Sequence, residues 1–209
     1  MLKWLNSPAS ETQITHGQRL WLYLFAAIVM ILLVAPTLIV IPMSFSDSQY
    51  LQFPPESWSL RWYRNYFGSP EWMQATVTSL KAAVLTMLVA TPAGVVAAYG
   101  LHCSGVRFVR AAYLMLITPM MVPVVLVAIG AFYVFVKVKL LYSLTGLVLA
   151  HSVLALPLVV IVTGSALKTY DMNQELAARS LGAPRWKAFL TITVPQIRFA
   201  IVTAALLAF

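Results

Sequence analysis

With 209 residues, 61% of them hydrophobic and 10% charged, and a mean hydropathy of +0.84, the chain carries more apolar surface than a soluble domain of its size can enclose. Its formal charge of +8 comes from 14 basic residues set mostly outside the apolar runs, a pattern that belongs to membrane topology and not to nucleic-acid binding. The single cysteine, Cys103, excludes an internal disulfide, and no C-x-x-C or Cys/His cluster suggests a metal site.

Residues 1–19 form a short polar segment with Lys3 and Arg19 against Glu11, and His16 reads as a solvated residue of that tail. Trp21 to Met43 is an uninterrupted apolar run of 23 residues. At ~1.5 Å per residue it crosses a hydrocarbon core of ~30 Å. It is too long for a signal-peptide core, so it is expected to be a retained first span that Pro36 and Pro42 bend or end.

Ser44 to Gln74 changes character: prolines, Gly68 and the rings of Trp58, Trp62, Tyr63, Tyr66, Phe67 and Trp72 predict a structured loop outside the membrane. Such rings favour the headgroup region, and an aromatic box for substrate is the other reading.

Ala75 to Leu101 is expected to be a second span, with Lys81 close enough to its start to snorkel, and with Pro92 and Gly94 permitting a kink and close helix contact. A hydrophilic turn holds His102, Arg107 and Arg110. A third span is expected over Ala111 to Val136, carrying Pro119 and Pro123 and closed by Lys137 and Lys139. Leu144 to Leu167, with Pro157, is the fourth. His151 inside it is costly unless hydrogen-bonded, so it either joins two helices or lines a path.

Asp171 to Pro195, DMNQELAARSLGAPRWKAFLTITVP, is a polar, basic insert between apolar runs. Asp171 and Gln174 make a capping-box-like start, an acid precedes a base as the helix dipole prefers, and Gly182 ends the helix. Pro184 opens a second helix whose Trp186, Phe189 and Leu190 form an apolar face suited to a membrane surface. From periodicity alone the insert is either a solvated connector or a helix with a small, smooth face, Leu176, Ala177, Ser180 and Leu181, that a partner's groove can accept.

Ala177-Ala178, Gly182, Ile192 and Pro195 resemble the EAA loop, E-A-A-x3-G-x9-I-x-L-P, of permease subunits in ATP-binding-cassette importers. Two departures stand out: Leu176 occupies the place of the motif's Glu, with Glu175 one position earlier, and Val194 replaces its Leu. SWSLRWYRNYF and GLVLAHSVLALPLVV also resemble stretches of the spermidine/putrescine permease family. The resemblance implies an all-α, polytopic membrane bundle of the type I importer class in a bacterial inner membrane. It further implies that Glu175, Leu176, Ala177, Ala178, Leu181, Gly182, Ile192 and Pro195 couple the chain to a separate ATPase.

The implied partners are an ATPase dimer, a second homologous permease and an extracytoplasmic solute-binding protein, in contact with membrane lipid. ATP is expected on the ATPase and no cofactor in this chain, which has no Walker A loop, G-x-S-x-G or H-E-x-x-H. Pro119, Pro123, Pro157 and His151 are the candidates for shaping or lining the path. Phe199 to Phe209 reaches only ~16 Å as a helix, about half a span, so the chain is expected to be a C-terminally truncated fragment, and the resemblance implies a fifth and a sixth span after the EAA loop.

Basic residues near the spans divide nine against five in favour of a cytoplasmic N-terminus, which puts the insert on the ATPase side. Three units are therefore expected: a cytoplasmic segment 1–19, a first span with its loop over 20–74, and the transport domain over 75–209. An ion-coupled secondary transporter would instead call for acids within the spans, and none of the six Asp and Glu residues lies in the four full runs.

Overall fold

A computed structural model describes residues 5, 7, 14–50, 52–105 and 107–209; Lys3 and Glu11 lie outside them. Among the described residues there are helices and no strand. The chain divides into two compact units, Met1–Met73 and Gln74–Phe209.

In the first unit a 3-10 turn, Gly17–Arg19, leads into α1, Leu20–Met43. Helix α1 runs through Pro36 and ends one residue after Pro42. It is apolar on every side and buries no residue, the condition of a helix whose solvent is lipid. The loop after it is pinned by an isolated antiparallel bridge, Ser46 to Trp58, and by an ion pair between Arg61 and Asp47 at 3.6 Å. Helix α2, Arg61–Gly68, places Tyr63 beside Ser44 Oγ at 2.8 Å and lets the Trp62 Nε1–H donate to the Ser48 carbonyl at 3.2 Å. Trp58, Trp62, Tyr63, Phe67 and Trp72 remain exposed, as rings resting among headgroups would be.

The second unit is built on α3, Pro70–Cys103, whose 34 residues make it ~51 Å long. It begins five residues before the expected Ala75, and it continues through Pro92. The third expected span, Ala111 to Val136, is not one continuous helix. It is two helices, α4, Val109–Met121, and α5, Val124–Lys137, bent by 101°. Pro123 forces Val122 into an extended conformation, ψ 134, and supplies no N–H to the turn before it. Neither half is long enough to cross a bilayer alone. Apolar content counted both halves as one run because it is blind to direction.

Helix α6, Leu144–Thr169, starts where Ser143 Oγ accepts the Gly146 N–H at 3.0 Å, a side-chain cap, and it carries Pro157 in its interior. After the insert, α7, Asn173–Ser180, and α8, Arg185–Ala188, are followed by a widened π turn, Phe189–Thr193, and a single helical turn, Val194–Gln196. Helix α9, Arg198–Ala208, then turns away by 82°. Pro195 donates no N–H, which leaves a carbonyl of the preceding turn free and favours the wide π geometry there.

The core lies where α3, α6 and α9 meet, and its residues are small: Ala90, Val95, Ala155, Val159, Ala204 and Ala208. Lipid tails are as apolar as leucine, so close packing by small residues, and not exclusion from water, holds such helices together. Gly94 marks the tightest crossing. A Cβ there would stand 2.5 Å from Val159 Cγ1, so the close contact expected at Gly94 is made with α6. A second cluster, Ala98, Tyr99, Val160, Leu167 and Ile197, continues the core toward the insert.

Candidate functional site

The insert is fixed at its start by Asp171 Oδ1, which accepts the Asn173 N–H at 3.0 Å. Gln174 does not complete the expected capping box; its Oε1 accepts from Gln196 Nε2 at 3.2 Å instead. The far end is a Schellman motif. The Ala183 N–H donates to the Ala178 carbonyl at 3.1 Å and the Gly182 N–H to Arg179 at 3.0 Å, while Gly182 takes φ +92. Only glycine adopts that conformation without crowding its Cβ, so Gly182→Ala is expected to cost ~1–2 kcal/mol. A thermal midpoint lowered together with faster proteolysis within 171–195 would register it; unchanged values for both would refute it.

Glu175 is the centre of the site. It is 1% exposed, with its carboxyl turned away from solvent and into the end of the bundle. Tyr99 Oη of α3 donates to Oε1 at 2.5 Å, and Thr193 Oγ1 of the π turn donates to Oε2 at 2.6 Å. Arg185 extends the network: its Nε lies 3.4 Å from Tyr99 Oη and its guanidinium stands over the tyrosine ring at 5.5 Å. Phe189 packs on the other part of that ring at 4.2 Å between centroids. A buried acid thus ties the insert to the last turns of a long span and to the turn that begins the next one.

The remaining candidates separate around it. Leu176 and Leu181 are exposed, Leu181 by 90%, and Ala177 is exposed beside them, whereas Ala178 is half-buried. Trp186 and Leu190 also face outward, but Phe189, expected on the same face, is drawn inward by Tyr99. Ile192 is half-buried and Pro195 exposed. The structure therefore brings Glu175 to Thr193, Tyr99 and Arg185, and leaves Leu176 of α7 and Leu181, the residue that follows the helix, exposed.

Pro119, Pro123 and Pro157 fall on different elements; Pro157 is buried in the core and Pro123 sits at the bend. His151 lines a cavity of ≈ 580 Å³ between α5 and α6, beside Val127, Ala131 and Leu154. Tyr99, Thr193 and Arg185 were not anticipated from sequence. The one available hint was a tyrosine among the small residues that end a span, where its ring packs and its hydroxyl requires a partner.

This architecture of bent apolar helices around a polar insert is the fold of an importer permease. A crystal structure of a bacterial ABC transporter involved in the import of the acidic polysaccharide alginate aligns with 93% of this chain and 71% of its own, with a TM-score of 0.69 at 17% identity. Residues 90–209 match the family described as binding-protein-dependent transport system inner membrane component, and the chain belongs to that family.

Among its relatives is the molybdenum transport system permease protein ModB of Escherichia coli K12, 36% identical over 156 residues, covering 67% of this chain and 66% of ModB. The putrescine transport system permease protein PotI of the same organism is 31% identical over 188 residues, 85% of this chain and 65% of PotI. The spermidine/putrescine permease PotC, also from that organism, is 29% identical over 177 residues, 83% of this chain and 66% of PotC. The chain thus spans about two thirds of the length of the curated relatives it matches.

Proposed function

We propose that the chain is the permease component of an ABC importer, contributing half of a translocation path and receiving work from a separate ATPase through α7. The observation that carries this reading is the two-sidedness of that helix. One side bears a carboxyl buried against Tyr99 and Thr193, and the rest presents Leu176 and Ala177 to solvent, with Leu181 exposed just past its end. Exposed leucines beside a small alanine on a short polar helix suit the groove of a partner. A partner that moves α7 would pull on α3 through the Glu175 to Tyr99 bond, so displacement reaches the span with no flexible linker between. Family membership supports an ATPase and a solute-binding protein as partners, and in this reading the ATPase is a dimer, the path is completed by a second permease, and the binding protein sits on the opposite side of the membrane.

In this reading the N-terminus and the insert are cytoplasmic, and the bend between α4 and α5, the proline-bearing helices and His151 shape the path. Cysteines at Ala177 and Ala178 should crosslink to the ATPase subunit in an active complex. Absence of any crosslink in such a complex would sink the assignment.

For substrate, the similarity to PotI and PotC over more than four fifths of this chain supports a polyamine. The similarity to ModB favours a second reading, an oxyanion of the molybdate kind. Uptake of radiolabelled putrescine and of molybdate, in cells with and without this subunit, separates them. Putrescine uptake that does not change on deletion would reject the polyamine.

A further inference from the structure

We propose that the basic pocket formed by Arg107, Arg110 and Lys168, at the insert end of α3, α4 and α6, holds the phosphate headgroup of an anionic membrane phospholipid. The pocket has a volume of ≈ 460 Å³, and His102 and Tyr113 also line it. Its cationic groups come from separate parts of the fold: Arg107 precedes α4, Arg110 is in its first turn, and Lys168 is in the last turn of α6. None of its lining residues is acidic. The two acids of the insert face elsewhere, since Glu175 is buried against Tyr99 and Thr193, and Asp171 lines a different cavity. Among the described residues the ion pair is that of Arg61 with Asp47, and no carboxylate pairs with these three cations. Like charges gathered around one cavity repel, and an anion between them turns that repulsion into attraction.

Two features select a lipid over a free anion. The floor of the pocket is apolar, made by Ala98, Val160 and Gly164 on the flanks of two helices, a surface suited to the first methylenes of an acyl chain. The pocket also lies where α3 ends at Cys103 and α6 at Thr169, the level at which a bilayer places its phosphates. Basic pockets between spanning helices bind anionic headgroups by this combination of charge and depth. The inference requires only that the bundle sits in a membrane and is independent of how α7 is used.

The test is native mass spectrometry of the full chain in its purified complex, with phosphatidylglycerol, phosphatidylethanolamine and inorganic phosphate as probes. One phosphatidylglycerol should be retained in preference to phosphatidylethanolamine. The R107Q/K168Q variant should weaken its retention by about 25-fold, since each juxtamembrane cation contributes about fivefold. Lys81→Gln, which removes a cation from elsewhere on α3, should leave retention unchanged. A measurement on the unaltered protein guards against a misfolded variant: in nanodiscs, phosphatidylglycerol should protect Lys168 from acylation relative to phosphatidylethanolamine, with Lys187 unaffected. Equal retention of both lipids, or equal acylation of Lys168 in both, overturns the proposal. So does displacement by millimolar inorganic phosphate without lipid preference, which makes the pocket a free-anion site. A crosslink from Lys168 to an acidic residue of a partner subunit in the intact complex also overturns it.

Discussion

Glu175→Ala is expected to uncouple transport from ATP hydrolysis and to lower stability by several kcal/mol. The substitution removes the acceptor of two hydroxyls, those of Tyr99, 8% exposed, and Thr193, 0% exposed. A buried donor left without its acceptor costs about 1–3 kcal/mol; Tyr99 loses its acceptor outright, while Thr193 keeps only the longer bond to Tyr170 Oη at 3.4 Å, and the truncation leaves a cavity besides. Glu175→Gln should be milder, because the amide keeps the volume and one carbonyl oxygen, and its NH2 can donate to a hydroxyl that rotates to accept. Tyr99→Phe removes a single bond and also the group facing Arg185. A double-mutant cycle between Glu175→Gln and Tyr99→Phe should give a coupling energy of about 0.5–3 kcal/mol, as for residues in one network. In reconstituted complexes, substrate-stimulated ATP hydrolysis and uptake should fall at least tenfold for Glu175→Ala while crosslinks from Ala177 persist. Wild-type uptake by that variant would show that force does not pass through this carboxyl.

How far the residues announced this arrangement depends on the range over which each acts. Gly182 could be read because a helix end is local: glycine follows the last polar turn, Ala183 and Pro184 follow glycine, and the Schellman bonds close within six residues. Helices α1, α3 and α6 were equally legible as long apolar runs, although the run from Ala111 to Val136, of similar length, breaks at Pro123. Glu175 was visible one position before the place of the motif's acid, but its direction could not be read. Its partner Tyr99 is 76 positions away, and no periodicity within the insert reports which side of α7 meets another helix.

The same limit explains Gln174, which left a local cap for Gln196, 22 positions on. The bend at Pro123 is a different failure. The proline was visible, yet a proline can sit inside a continuing helix, as Pro36, Pro92 and Pro157 do here, or break one. Surrounding packing decides between these outcomes.

Gly94→Val should have the largest effect of any single change in the core, because the crossing of α3 and α6 has no room for a side chain. A Cβ at Gly94 would approach Val159 Cγ1 to 2.5 Å and Cβ to 2.6 Å, distances that unstrained carbon atoms do not reach. The neighbour cannot swing aside: Val159 is β-branched, 0% exposed, and enclosed by Ala90, Ala155 and Ala204. Overpacking a close-packed site costs about 1–3 kcal/mol when the surroundings yield, and valine, which also brings two γ carbons, should exceed that unless the helices separate. In a bilayer no hydrophobic force would draw separated helices back together, since the association rests on this contact. Gly94→Ala should be the smaller version of the same lesion. Pairing it with Val159→Ala, which trims the facing side chain, should recover more than half of the lost thermal stability. Size-exclusion profiles and thermal midpoints in detergent for Gly94→Ala, Val159→Ala and the pair would measure this. Strictly additive losses would mean that the two helices do not cross at these residues, whereas a pair more stable than Gly94→Ala alone requires that they do.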